Sequence, residues 1–135
     1  MKRILLIATG GTIAGSGDAG KAADYQAGRI SVPEVDGLCE LEILQLMNID
    51  STNMRPADWL RIAGAIEERY AAFDGFLILH GTDTMAYTAS VLSFMLRGIS
   101  IPVVLTGAQL PMAHPLSDGM ENLRTALAMA ASGVP

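Results

Sequence analysis

Lysine is almost missing from this 135-residue chain: Lys2 and Lys21 are the only two, and none follows Lys21. Basic residues number nine against fourteen acidic ones, a net charge of -5, and no run of Lys or Arg occurs. A phosphate-backbone partner needs a basic patch, so the sequence argues against nucleic acid and against an anionic membrane surface. Cysteine is rarer still. Cys39 stands alone, which excludes an internal disulfide and a cysteine-based metal cluster and fits a reducing compartment. Long apolar runs are also lacking. The run Ile4 to Ala8 behind Lys2-Arg3 is five residues, where the apolar core of a signal peptide needs roughly seven to fifteen. No stretch approaches the roughly eighteen residues of a membrane span, and the expectation is a soluble, cytoplasmic protein. Charged residues make up 17% and hydrophobic residues 50%, so the chain has ample core material and lacks the composition of a disordered tail. Its length suits one domain.

Four short apolar runs are bounded by turn residues: 3 to 9, 42 to 49, 75 to 79 and 102 to 106. Continuous runs such as Phe76 to Leu79 suit parallel strands covered on both faces, which cannot show alternation. Helical patterns lie between them. Trp59, Ala63, Ile66 and Tyr70 recur at i, i+4, i+7 and i+11 behind Pro56, a favoured first-turn residue. A second helix is expected from about Asp83 to Leu96; being apolar on most sides, it should be well buried. A third should start near Asp118, where Asp118 and Glu121 have capping-box spacing. This alternation predicts an α/β fold of three layers, a mostly parallel, doubly wound sheet with helices on both faces, Rossmann-like or flavodoxin-like. Residues 10 to 32 differ. They hold six glycines, few large apolar residues and no clear period, the mark of a functional or mobile stretch. The chain ends at Pro135, where the alternation would place another strand.

Ligands of open α/β sheets bind beyond the carboxyl ends of the strands. All four such ends carry small polar or glycine residues: Thr9-Gly10-Gly11-Thr12, Asp50-Ser51-Thr52-Asn53, His80-Gly81-Thr82-Asp83-Thr84 and Thr106-Gly107-Ala108-Gln109. Any one of them is ordinary turn or cap chemistry. Four sharing one sheet edge, rich in hydroxyls and poor in charge, make a candidate site. Thr12 and Thr82 offer nucleophilic hydroxyls and Asp83 a carboxylate. The flanking glycines leave backbone N–H groups accessible to an oxyanion, a combination that points to acyl transfer. The stretch Gly15 to Gly20 matches G-x-G-x-x-G, but it begins six residues past the strand and opens no amphipathic helix, so a nucleotide-binding module has weak support. His80 and His114 are 34 residues apart and no cluster has metal-ligand spacing. His80 reads as a structural hydrogen-bonding group, and Met47, Met85, Met95 and Met129 as core filler.

Two longer segments carry a resemblance. Ala8-Thr9-Gly10-Gly11-Thr12-Ile13-Ala14-Gly15 and Leu79-His80-Gly81-Thr82-Asp83-Thr84-Met85 resemble the two signature segments of the bacterial-type L-asparaginases. Asp50-Ser51-Thr52, Thr106-Gly107-Ala108-Gln109-Leu110-Pro111 and Ser117-Asp118-Gly119 with Asn122-Leu123 are similar as well, so the likeness covers essentially residues 1–135 as the amino-terminal domain. The Thr-Gly-Ala-Gln-Leu-Pro wording is closer to the cytoplasmic, type I form. The resemblance implies hydrolysis of the L-asparagine side-chain amide to L-aspartate and ammonia, with no metal or organic cofactor. It assigns Thr12 as primary nucleophile and Tyr25 as the residue that closes over the substrate and helps activate Thr12. Thr82 becomes the second catalytic threonine, Ser51 the holder of the α-carboxylate and Asp83 of the α-ammonium. Ala108 offers its backbone to the amide, and Thr52 matches a variable binding position.

The same resemblance shows two departures. Family members carry, beyond the third helix, a lysine that partners the second threonine and its aspartate; here no lysine follows Lys21, and Arg124 cannot act as a base because a guanidinium stays protonated. They also carry a smaller carboxy-terminal domain that completes the site across a dimer, which this sequence lacks. Two readings follow: an asparaginase or a domain of one, and a domain that binds L-asparagine or L-aspartate with little turnover. A homo-oligomer is the expected assembly.

Overall fold

A computed structural model of the chain describes residues 1–11 and 37–135. Four parallel strands form one sheet: β1 (Lys2–Ala8), β2 (Cys39–Gln45), β3 (Gly75–Leu79) and β4 (Val103–Thr106). Three helices accompany them, α1 (Pro56–Arg69), α2 (Met85–Met95) and α3 (Gly119–Ala131). The strand order is β2-β1-β3-β4, with Ala8 in register with Gln45 on one side and Leu79 on the other. The chain therefore moves outward from β1 in both directions, and the crevice of such a sheet opens between the carboxyl ends of β1 and β3.

The apolar runs explain the layers. Alternate residues of β1 and β3 face opposite ways, so a strand covered twice must be apolar throughout. Ile4, Leu6, Ala8, Leu77 and Leu79 pack with Leu123, Ala126, Leu127 and Ala130 of α3. On the other face Leu5, Ile7, Phe76 and Ile78 pack with Ile62, Ala65 and Ile66 of α1 and Leu92 of α2. Each fully buried Leu or Ile contributes about 2 kcal/mol. This is the three-layer α/β fold expected.

Three local expectations about elements are corrected, and one about the methionines. The second strand was expected at 42 to 49 and lies at Cys39–Gln45, because it is an outer strand of the described sheet and tolerates polar residues. Glu40 and Glu42 are exposed and face Arg3 at 3.9 and 3.7 Å, which hides the strand from a search for apolar runs. The ladder ends where the Ala8 carbonyl takes both the Leu46 and Met47 amides, at 3.0 and 3.3 Å. The second difference is in α2, which is not well buried: only Thr88 and Leu92 are inside, while Tyr87 and Phe94 are 67% and 69% exposed. A helix apolar on most sides has more apolar surface than one sheet face can cover. Met47 is core, whereas Met95 and Met129 are exposed on their helices. Third, Asp118 precedes α3 without capping it; its side chain makes no bond to the helix amides and is engaged elsewhere.

Candidate active site

The loops leaving the four carboxyl ends meet, and glycine makes the meeting possible. Gly10 and Gly11 have φ of 117° and 88°, a region L side chains rarely adopt. A Cβ on Gly11 would stand 2.6 Å from Gly81 N, so the β1 and β3 loops touch backbone to backbone. A Cβ on Gly107 would strike the His80 carbonyl, which brings in the β4 loop. Thr9 ties the first two together, its hydroxyl donating to Leu79 O at 2.7 Å.

The β2 loop arrives with Ser51. Asp50 caps a single 3-10 turn, Ser51–Asn53, by accepting the Thr52 amide at 2.9 Å and the Thr52 hydroxyl at 2.8 Å. Those two bonds, the amide first, hold the Asp50 carboxyl below its ordinary value. Thr52 is exposed and commits its hydroxyl proton to Asp50. Ser51 is 2% exposed, and its Oγ has no hydrogen-bond partner among the described residues. It lies against Gly81, where a Cβ would stand 2.6 Å from Ser51 Oγ. Thr84 fastens the pair by donating its hydroxyl to Ser51 O at 2.7 Å.

The β3 loop is held from beneath. His80 is fully buried, with Nδ1 2.7 Å from Gly81 O and Nε2 2.8 Å from Thr88 Oγ1. Burial pushes the imidazole below the ordinary histidine range, against the Gly81 bond, which raises it. Beyond it Thr82 is half-buried and Asp83 exposed.

The β4 loop is clamped by the start of α3. Asp118 accepts the Gln109 amide at 3.0 Å and the Leu110 amide at 3.1 Å. Asn122 bridges the two elements, donating to Gly107 O at 2.9 Å and to Asp118 Oδ2 at 3.0 Å. The Gln109 amide, then the Leu110 amide, hold the Asp118 carboxyl below its ordinary value. Ala108 is buried inside the clamp.

Of the residues expected from the sequence, Ser51, Thr82, Asp83 and Ala108 thus sit on loops that meet at one sheet edge, with Thr52 at its rim. Thr12 and Tyr25 lie outside the described residues, as does the Gly15–Gly20 stretch. Sequence reasoning gave no role to Thr84 or Thr88, read Trp59 as part of an apolar helix stripe and read Asp118 as a cap. Thr88 is one of three small hydroxyl residues of α2, with Ser90 and Ser93, so no signal in the sequence singled it out. The edge offers a buried hydroxyl, a half-buried hydroxyl, an exposed carboxylate and backbone groups of glycine loops, an arrangement suited to a small polar molecule. Among the described residues no group of three His, Cys, Asp or Glu could hold a metal ion.

The family model described as "Asparaginase, N-terminal" matches residues 3–134. The chain belongs to the asparaginase family. It is 44% identical over 138 residues to an L-asparaginase of Thermococcus kodakarensis, an alignment covering 98% of this chain and 42% of that one. The crystal structure of L-asparaginase I from Vibrio cholerae superimposes with a TM-score of 0.86 at 44% identity, covering 96% of this chain and 40% of the other. A structure titled "Probable Cytoplasmic L-asparaginase", from Campylobacter jejuni, gives 0.81 at 39% identity, covering 97% and 40%. The chain therefore spans about two fifths of the length of these asparaginases.

Proposed function

We propose that this asparaginase domain, residues 1–135, binds L-asparagine at the shared carboxyl edge of its sheet and hydrolyses the side-chain amide to L-aspartate and ammonia. The observation that carries the reading is Ser51: a buried hydroxyl with no partner among the described residues, pressed onto the loop that bears Thr82 and Asp83. A buried polar group without a partner is costly, and a ligand that supplies the partner removes the cost. The α-carboxylate of an amino acid accepts from the Ser51 hydroxyl, and Asp83 pairs with the α-ammonium.

Thr12 is the proposed nucleophile. Its hydroxyl oxygen bonds to the amide carbon and its proton passes through Tyr25 toward the leaving nitrogen. The C–N bond breaks to release ammonia, and water then cleaves the acyl ester and returns the threonine. Thr82 serves as the second catalytic threonine, Ala108 orients the amide through its backbone, and Thr52 contributes at the rim. No metal or organic cofactor takes part. The test is ammonia release from L-asparagine, abolished by Thr12→Ala; a folded chain that neither binds L-aspartate nor releases ammonia overturns the proposal.

A second reading, binding with little turnover, has its own support. Neither lysine is available on the described part of this edge: Lys2 lies at the amino end of β1, 3.4 Å from Asp74, and Lys21 is outside the described residues. Calorimetric binding without ammonia distinguishes it. We place the protein in the cytoplasm, in line with the Campylobacter jejuni neighbour's title. A homo-oligomer fits the exposed Tyr87 and Phe94.

A further inference from the structure

We infer that Trp59, half-buried, and Thr88 and His80, both buried, form a positioning chain that fixes the peptide leading into Thr82 and Asp83, an inference resting on the reading that those two residues meet the substrate. The chain starts on α1, where the indole Nε1–H of Trp59 donates to Thr88 Oγ1 at 2.9 Å. Thr88 lies in α2, 2.8 Å from His80 Nε2, and His80 Nδ1 lies 2.7 Å from Gly81 O. The proton directions follow from the carbonyl end. An indole N–H can only donate, so Thr88 Oγ1 accepts from Trp59 through one lone pair and still has its own proton to offer His80 Nε2. A carbonyl can only accept, so Nδ1 carries the imidazole proton and donates it to Gly81 O. Full burial favours the neutral imidazole, which with its proton on Nδ1 leaves Nε2 to accept from the Thr88 hydroxyl, so that every position is satisfied.

The end of the chain is where positioning matters. Gly81 O belongs to the same planar peptide as Thr82 N, so holding that carbonyl sets the plane from which Thr82 departs. Gly81 must be glycine because Ser51 fills the space of a Cβ, and glycine by itself holds no orientation. The hold comes from His80, and through Thr88 and Trp59 it depends on the packing of α1 against α2.

The test uses the 15N-labelled chain. Near neutral pH the His80 ring should give the signature of the Nδ1–H tautomer. Thr88→Val, nearly isosteric but without a hydroxyl, should disturb that tautomer, move the Thr82 and Asp83 amide resonances, and weaken L-aspartate binding about tenfold, the scale of one buried hydrogen bond. Thr88→Ser, which keeps the hydroxyl, should restore all three. A merely structural Thr88 would lower stability in Thr88→Val without moving those two resonances, and that result overturns the inference. So does an Nε2–H tautomer or an imidazolium in the unmodified chain, which needs no variant. If Thr88→Val does not fold, Trp59→Phe is read the same way. A chain that binds no L-aspartate sinks the substrate reading alone, because the tautomer and the two amides still decide the positioning chain.

Discussion

Gly81 lies so close to Ser51 that a Cβ placed on it would stand 2.7 Å from Ser51 Cβ and 2.6 Å from its Oγ. This contact joins the β2 loop to the β3 loop and turns two turns into one site edge. Gly81→Ala must push the loops apart. The expected cost is about 1–3 kcal/mol, as for other overpacked positions. L-aspartate binding should fall with it, because Ser51 and Asp83 separate. Urea unfolding and calorimetry read the two effects; an alanine variant with unchanged stability would mean that Ser51 can step aside.

Ser51→Ala should do the opposite to stability. The Ser51 hydroxyl is buried without a partner among the described residues, and an unsatisfied buried polar group costs roughly 1–3 kcal/mol. Its removal is expected to raise the unfolding free energy by about 1 kcal/mol while lowering L-aspartate affinity about tenfold or more. Opposite signs for stability and binding are what a residue retained for function produces. Loss of both together would make Ser51 a structural residue.

The layers of the fold and the shared edge were legible from the sequence because each reports a local cause. Ile4 to Ala8 and Phe76 to Leu79 are apolar at every position since both faces are covered, and the polar residues begin where the strands leave that cover. β2 was misplaced because an outer strand can alternate Glu40 and Glu42 with apolar residues, so its signal is pairing with β1 rather than composition. Asp118 shows a different limit. Its spacing to Glu121 fits a capping box, yet its carboxylate turns to the Gln109 and Leu110 amides, a tertiary choice that sequence spacing cannot register. The His80 to Trp59 connection crosses three elements and is invisible for the same reason.

The two faces of α2 predict a contrast. Leu92 is buried against the sheet and Phe94, two residues on, is 69% exposed. Leu92→Ala should cost about 2–5 kcal/mol, as large-to-small changes in cores do. Phe94→Ser should stay within about 0.5 kcal/mol. If the homo-oligomer uses this face, Phe94→Ser also shifts the mass read by light scattering toward the monomer. A Phe94 substitution as costly as that of Leu92 would place this residue inside an obligate interface.

Acid should loosen the site edge through two groups of the same sign. His80 has a folded-state pKa below its ordinary 6.5, so the unfolded chain binds the proton more readily. Its contribution is complete above that ordinary value and is lost as pH falls through it toward the lower folded one. The slope is at most about 1.4 kcal/mol per pH unit, that of a single proton. Asp118, held below its ordinary 3.8 by the Gln109 and Leu110 amides, repeats the pattern further down. Its contribution is present above 3.8 and disappears as pH drops below it, with Asp50 and Asp74 acting in the same sense. Stability curves against pH should therefore show an upper step that His80→Gln removes and a lower step that Asp118→Ala reduces without abolishing. An upper step that survives His80→Gln would assign it to another group and contradict a neutral, buried His80.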